Sequence, residues 1–234
     1  MSTQKEIRFA NLELRADSAG KQPRITGMAA RFRAKTAIQR GLNEVIAPGA
    51  FKRTIANGDD CVLNFNHSDD KVVARTSAGT LTLRESDEGL MFDAEIDPEI
   101  SYVSDLYRSI KAGNISECSF SFTPYEDGDS IGADPDESGA VLRVLKSVRL
   151  WDVAAVTHPA YGGGVTSVNA RNVISEQVEA RMAAVTQAAG TELRRQRLAV
   201  VLAEIEEDNR KRSAQDQLAI DMQLRARFEV LKLL

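Results

Sequence analysis

The sequence holds only two histidines, two cysteines, one tryptophan and six prolines among its 234 residues. Histidine scarcity narrows any acid–base chemistry: an imidazole base must be His67 or His158. The cysteines, Cys61 and Cys118, lie in apolar, strand-like contexts where buried, reduced thiols are expected rather than a disulfide. No Cys/His cluster has metal-ligand spacing and no glycine-rich phosphate loop is present, so neither a metal nor a cofactor is expected. There is no excess of positive charge. The 30 lysines and arginines stand against 34 aspartates and glutamates, a net charge of -4, which argues against a nucleic-acid partner. No apolar run approaches the roughly 20 residues that a bilayer requires, and the first residues are polar. Neither a membrane partner nor secretion is expected, and the setting predicted is the cytoplasm of the producing cell. What remains, 43% hydrophobic and 27% charged residues, suits a globular domain with an appendage.

The character of the chain changes near Gly162-Gly163-Gly164. Before it, short alternating runs and turn residues dominate. Strands are predicted over 7–14, 25–32, 62–66, 80–84, 90–96, 116–123 and 141–157, the last as two strands or one bent one. Asp87-Glu88-Gly89 is a hairpin turn signal. A helix is predicted from about Pro48 to Gly58, and another over 101–111, where Val103, Leu106, Tyr107 and Ile110 recur at helical spacing and Gly113 marks the stop. This is a mainly β chain with helices, an α+β class, and many short strands with two helices suggest a closed or partly closed β-barrel. After the glycines there is no proline, and three apolar stripes read as helix: Val178/Met182/Val185, Leu198/Val201/Leu202/Ile205 and Leu224/Phe228/Leu231. The predicted organisation is a barrel domain over residues 1–165 and a helical region over 166–234. The second part is either an oligomerisation or scaffold-binding arm or a helical hairpin packed on the barrel.

One strand carries the chemistry. In Ser116-Glu117-Cys118-Ser119-Phe120-Ser121-Phe122, Cys118, Phe120 and Phe122 share an apolar face, and Glu117, Ser119 and Ser121 share the other. Ser119 is then expected to look outward, toward a substrate, while Cys118 points into the core where a thiol is inert. Ser121 is a rival on the same face. A serine hydroxyl needs a base, and His67 sits at the end of the predicted strand 62–66, beside the turn Ser68-Asp69-Asp70. The base needs an orienting acceptor. Asp152, a carboxylate inside the apolar run Leu150-Trp151-Asp152-Val153-Ala154, requires a partner, either that histidine or a cation such as Arg149. His158 is the rival third member. Serines on a face, a histidine at a strand end and a paired aspartate are each commonplace structural features.

Together these segments resemble the HK97-like prohead proteases, the capsid-maturation proteases of tailed bacteriophages. The resemblance is carried in order by Gly27-Met28-Ala29-Ala30-Arg31-Phe32, Glu44-Val45-Ile46-Ala47-Pro48-Gly49-Ala50-Phe51, Asn66-His67-Ser68-Asp69, Glu88-Gly89-Leu90, Gly113 to Phe122, and Asp152 to Tyr161. It implies a herpesvirus-assemblin-like β-barrel flanked by helices. The activity it implies is that of a serine endopeptidase that cleaves scaffold or the scaffold-like N-terminal part of the capsid protein, and itself, inside the assembling prohead. Self-association is implied as well. By position, Ser119 matches the family nucleophile and His67 the family base. Asp152 stands where the family commonly has glutamate, so the shorter side chain has to come closer to His67. The related herpesvirus enzymes use a second histidine there, which keeps His158 in view. A scaffolding or assembly protein whose protease domain is secondary or inactive is the alternative function.

Overall fold

The computed structural model describes residues 5–10, 14–17, 22–157 and 175–231. His158 and the Gly162–Gly164 boundary lie outside the described residues, as does the turn at Ser18-Ala19-Gly20.

Thirteen strands are described. They are β1 (Glu6–Ala10), β2 (Leu14–Asp17), β3 (Arg24–Arg31), β4 (Thr36–Gln39), β5 (Leu42–Ile46), β6 (Val62–Phe65), β7 (Val72–Arg75), β8 (Leu81–Glu85), β9 (Gly89–Glu95), β10 (Glu117–Pro124), β11 (Asp129–Ala133), β12 (Val141–Leu145) and β13 (Val148–Val156). Helix α1 (Lys52–Ala56) follows β5, α2 (Ser101–Lys111) follows β9, and α3 spans Glu176–Leu231. The chain is therefore mainly β with a few helices.

Among the described residues the strands form three hydrogen-bonded sheets, none closed on itself. Their orders are β1-β10-β13-β6-β7, β11-β12-β5-β4 and β2-β3-β9-β8. All neighbours are antiparallel except β13 with β6 and β12 with β5. Register shifts at Met28/Ala30, Ala37/Gln39 and Ser121/Phe122 interrupt the ladders. Extra residues of this kind bend and twist a strand.

The run predicted over 7–14 is two strands in two different sheets, and the run over 141–157 is also two. Strands β4, β5, β7 and β11 lie outside the predicted runs. Helix α1 begins at Lys52, because Pro48 to Phe51 are spent on a turn. Helix α2 has the predicted bounds, with Val103, Leu106 and Ile110 buried. Gly113 ends it at φ +76°, a left-handed conformation that glycine reaches without penalty. Gly89 has a different reason: a Cβ there would lie 1.9 Å from the Ala30 carbonyl oxygen of the paired strand.

One apolar core serves all three sheets. Phe120 of β10 meets Phe51 edge-on at 5.7 Å between centroids and stacks on Phe122 at 5.4 Å. Leu63, Ile25, Leu90 and Leu145 complete it from the other strands. Fully burying each such side chain contributes roughly 1.5–3 kcal/mol. A second, smaller cluster packs Val178, Met182 and Val185 from the start of α3 against Ile38, Leu42 and Val141.

The chain divides into two compact units, Met1–Thr186 and Gln187–Leu234. In the second unit the described residues to Leu231 are helical without a turn, so this stretch is not a hairpin. Leu193, Leu198, Val200, Val201 and Leu202 are exposed along it.

Charge also enters the interior of the first unit. Glu6 and Arg8 of β1 stand opposite Phe122 and Phe120, and both are buried. Arg8 donates to Glu44 on β5 at 2.6 Å and to Glu6 at 2.8 Å. Arg143 on β12, fully buried, binds Glu6 at 2.5 Å and Asp129 on β11 at 2.6 Å. Arg181 on α3 closes the set by donating to Asp129 at 2.7 Å. Three acids balance three arginines, and the network ties β1 to the β11-β12-β5-β4 sheet. Removing Arg143 leaves three acids facing only Arg8 and Arg181, one charge uncompensated and acceptor oxygens without a donor. Arg143→Met is therefore expected to cost about 3–5 kcal/mol of stability, read as a lower urea midpoint.

Candidate active site

The β10-β13-β6 alignment builds the site. Ser119 stands opposite Ala154, and Ala154 is in turn level with Asn64 on β6. Two residues along, Ser121 stands opposite Asp152, which is level with Val62. Strand β13 carries one extra residue here. Phe120 pairs with Val153 but Phe122 pairs with Leu150, so Trp151 and Asp152 together oppose Ser121. This bulge lets Leu150 and Val153 both face the core while Asp152 faces the serines.

His67 reaches the same face by leaving its strand. β6 ends at Phe65, and Asn66 and His67 take φ values of +54° and +57°. The Ser68 amide donates to the Phe65 carbonyl at 3.1 Å, closing a two-residue reversal in which both central residues have positive φ. The sequence predicts instead a strand through Asn66, with His67 at its end sharing the Phe65 face. Asparagine suits the left-handed region because its short amide finds local partners. Here the Asn66 amide donates to Ala155 O at 2.9 Å, and its side-chain Oδ1 accepts from the Thr157 amide at 3.1 Å.

The three sequence-predicted residues meet. His67 Nδ1 lies 2.6 Å from Asp152 Oδ1, and His67 Nε2 lies 2.6 Å from Ser119 Oγ. With Asp152 ionised, Nδ1 donates to the carboxylate and Nε2 is left as the acceptor for the serine proton. Ser119 Oγ also lies 2.8 Å from the Arg8 carbonyl oxygen of β1. One hydroxyl proton thus has two acceptors in reach, and only the bond to His67 activates the oxygen. Asp152 does not pair with Arg149, which lies over the Trp151 ring and 3.8 Å from Asp59.

Ser119 departs from expectation in one respect. It is 0% exposed, not outward-facing. β10 is an interior strand, and its second face is covered as well as its core face. Cys118 is fully buried, and burial pushes its thiol pKa up, as it does for Cys61. Among the described residues, the buried side-chain atoms without a hydrogen-bond partner include both amide atoms of Asn64 and Oε2 of Glu117, whose carboxyl pKa burial raises. The sequence reading missed that Ser121 donates to Asp152 Oδ2. Its position two residues after Ser119 was the available signal. The described residues hold no group of three or more His, Cys, Asp or Glu side chains arranged to bind a metal.

Two predictions arise from the hairpin that carries His67. Asn66→Ala keeps a Cβ at positive φ but loses the side-chain amide that accepts from the Thr157 amide, and a loss of about 1–2 kcal/mol is expected from urea unfolding. At the base of the hairpin, hydrogen bonds from Arg75 and Ser77 hold Asp60 at a pKa of about 2, below its ordinary 3.8. A depressed carboxyl pKa contributes stability that is present above pH 4 and lost as pH falls toward 2. Tm measured from pH 5 to pH 2 should fall less steeply in Asp60→Asn than in the wild type.

The profile of the caudovirus prohead serine proteases matches residues 10–180. The bacteriophage T4 capsid assembly protease, gp21, is a similar solved structure at 11% identity and a TM-score of 0.46, over 65% of this chain and 97% of that one. No curated protein sequence matches the chain. Because the family profile spans well over half of the 234 residues, the chain belongs to the caudovirus prohead serine protease family.

Proposed function

We propose that the chain is a prohead endopeptidase working through Ser119, His67 and Asp152 by an acyl-enzyme route. The carrying observation is the unbroken hydrogen-bonded chain Ser119 Oγ–His67–Asp152, with both links at 2.6 Å. Ser119 Oγ attacks the scissile carbonyl carbon while His67 Nε2 takes its proton. His67 then gives that proton to the leaving amine, and water repeats the cycle on the acyl-serine. Asp152 keeps the imidazole oriented and offsets its charge while it is protonated. Because aspartate is one methylene shorter than the glutamate expected at this place, the reversal at Asn66-His67 supports the reading: it brings the ring to the carboxylate.

The substrates in this reading are the scaffold, the scaffold-like N-terminal part of the capsid protein, and the chain itself, inside the assembling prohead. The assemblin-like barrel belongs to the same proposal, supported by the single core shared by three sheets. Residues 1–165 are read as the protease domain and residues 166–234 as an arm for self-association, scaffold binding or targeting. A second reading, an assembly protein whose protease domain is secondary or inactive, is favoured by the exposed run from Leu193 to Leu202.

Intact-mass time courses with the cognate capsid protein separate them. Wild type should yield discrete fragments, and Ser119→Ala and His67→Ala none. Asp152→Asn should retain more activity than Ser119→Ala, as the orienting member commonly does. Cleavage retained in Ser119→Ala would remove that residue from the role. A chain ending at Thr186, the edge of the first compact unit, should still cleave added capsid protein but fail to be packaged.

A further inference from the structure

We propose that Ser121 is a positioning residue of the Ser119–His67–Asp152 site, a role that rests on that catalytic reading. Its hydroxyl clamps the second oxygen of Asp152 so that the first stays aimed at His67.

The geometry is specific. A carboxylate presents two oxygens, and the imidazole uses only Oδ1, at 2.6 Å. Oδ2 accepts from Ser121 Oγ. Asp152 is 5% exposed and Ser121 1%, so bulk water is a poor substitute for that donor. An ionised oxygen left without a donor in such a place is costly. The carboxylate would rotate or take a proton, and either change spoils the acceptor that holds the Nδ1–H tautomer.

The strand geometry makes the clamp rigid. Ser121 and Asp152 are directly opposed across the β10/β13 ladder, and the β13 bulge begins at this pair. Alternation along β10 puts Ser119 and Ser121 on one face. A single strand thus delivers the nucleophile to one end of the imidazole and the clamp to the far side of the carboxylate. The same bond argues against Ser121 as the nucleophile: its proton goes to Asp152, and His67 Nε2 faces Ser119.

The test uses the full chain and a fluorophosphonate probe, which phosphonylates an activated serine whatever the protein substrate. Labelled peptides should carry the modification on Ser119 in wild type, Ser121→Ala and Ser121→Thr. Ser121→Ala should lower the maximal labelling rate about 10- to 100-fold, the rate equivalent of losing one hydrogen bond to a charged group. The half-saturating probe concentration should stay within about twofold, since the clamp does not touch the probe. Ser121→Thr keeps the hydroxyl and should recover the rate to within about threefold of wild type.

A second readout does not need activity. The chain has two histidines, so the ring protons of a ¹⁵N-histidine sample can be assigned by comparison with His67→Gln. In a Ser119→Ala background, Ser121→Ala should move or broaden the downfield Nδ1 proton of His67, and Ser121→Thr should not. If Ser121→Ala unfolds, Ser121→Cys, a weaker donor of similar size, should give an intermediate rate. An unchanged rate with an unchanged Nδ1 resonance in Ser121→Ala overturns the clamp while leaving the catalytic reading intact. Labelling of Ser121, or of neither serine, overturns both.

Discussion

The site depends above all on the pairing of β10 with β13 across one extra residue. Without the bulge, the alternation that buries Val153 opposite Phe120 would send Leu150 to the same face as Asp152 and put Trp151 in the core opposite Phe122. With it, an apolar strand supplies a core residue on each side and still offers one carboxylate to the serines. The cost of burying that carboxylate is met locally by His67 and Ser121, both on neighbouring strands or their connections. Structure and chemistry are thereby coupled, because the groups that make Asp152 tolerable in the interior are the groups that give it a role.

The buried ion network supports this alignment from the outer edge of the same sheet. β1 is an edge strand beside β10, and its Glu6 and Arg8 occupy places opposite core phenylalanines. Their partners on β5 and β12 anchor β1 to a different sheet. Apolar residues of similar volume could fill such a space with equal or greater stability. The ionic solution instead makes the strand's register depend on matched partners. Arg8 also contributes its carbonyl to Ser119 Oγ, so that hydroxyl lies between the β1 backbone and the His67 imidazole.

Family membership and geometry bear on different parts of the problem. The family profile covers residues 10–180 and speaks to the class of enzyme. The hydrogen-bonded chain through His67 distinguishes two serines that alternation leaves as rivals: Ser119 bonds the imidazole and Ser121 the carboxylate, which supports the role proposed for Ser119. Gln187–Leu234 forms a compact unit of its own. Its exposed leucines and valines are the features that belong to assembly rather than to chemistry in the reading proposed above.

Much was legible in the sequence. Alternation along 116–123 identified the core face of β10, helical spacing identified α2, and the scarcity of histidine confined the base to two positions. These are local properties, set by side-chain periodicity and residue type, and they survive folding because each concerns one element. What tertiary structure alone decided is relational. The positive φ at Asn66 and His67 turns the imidazole out of its strand, the bulge at Trp151 returns Leu150 to the core face behind Asp152, and the covering of both faces of β10 buries a serine that alternation assigned to solvent. Each depends on which strands become neighbours, and pairing across 52 or 85 residues of intervening chain leaves no periodic trace in a single sequence.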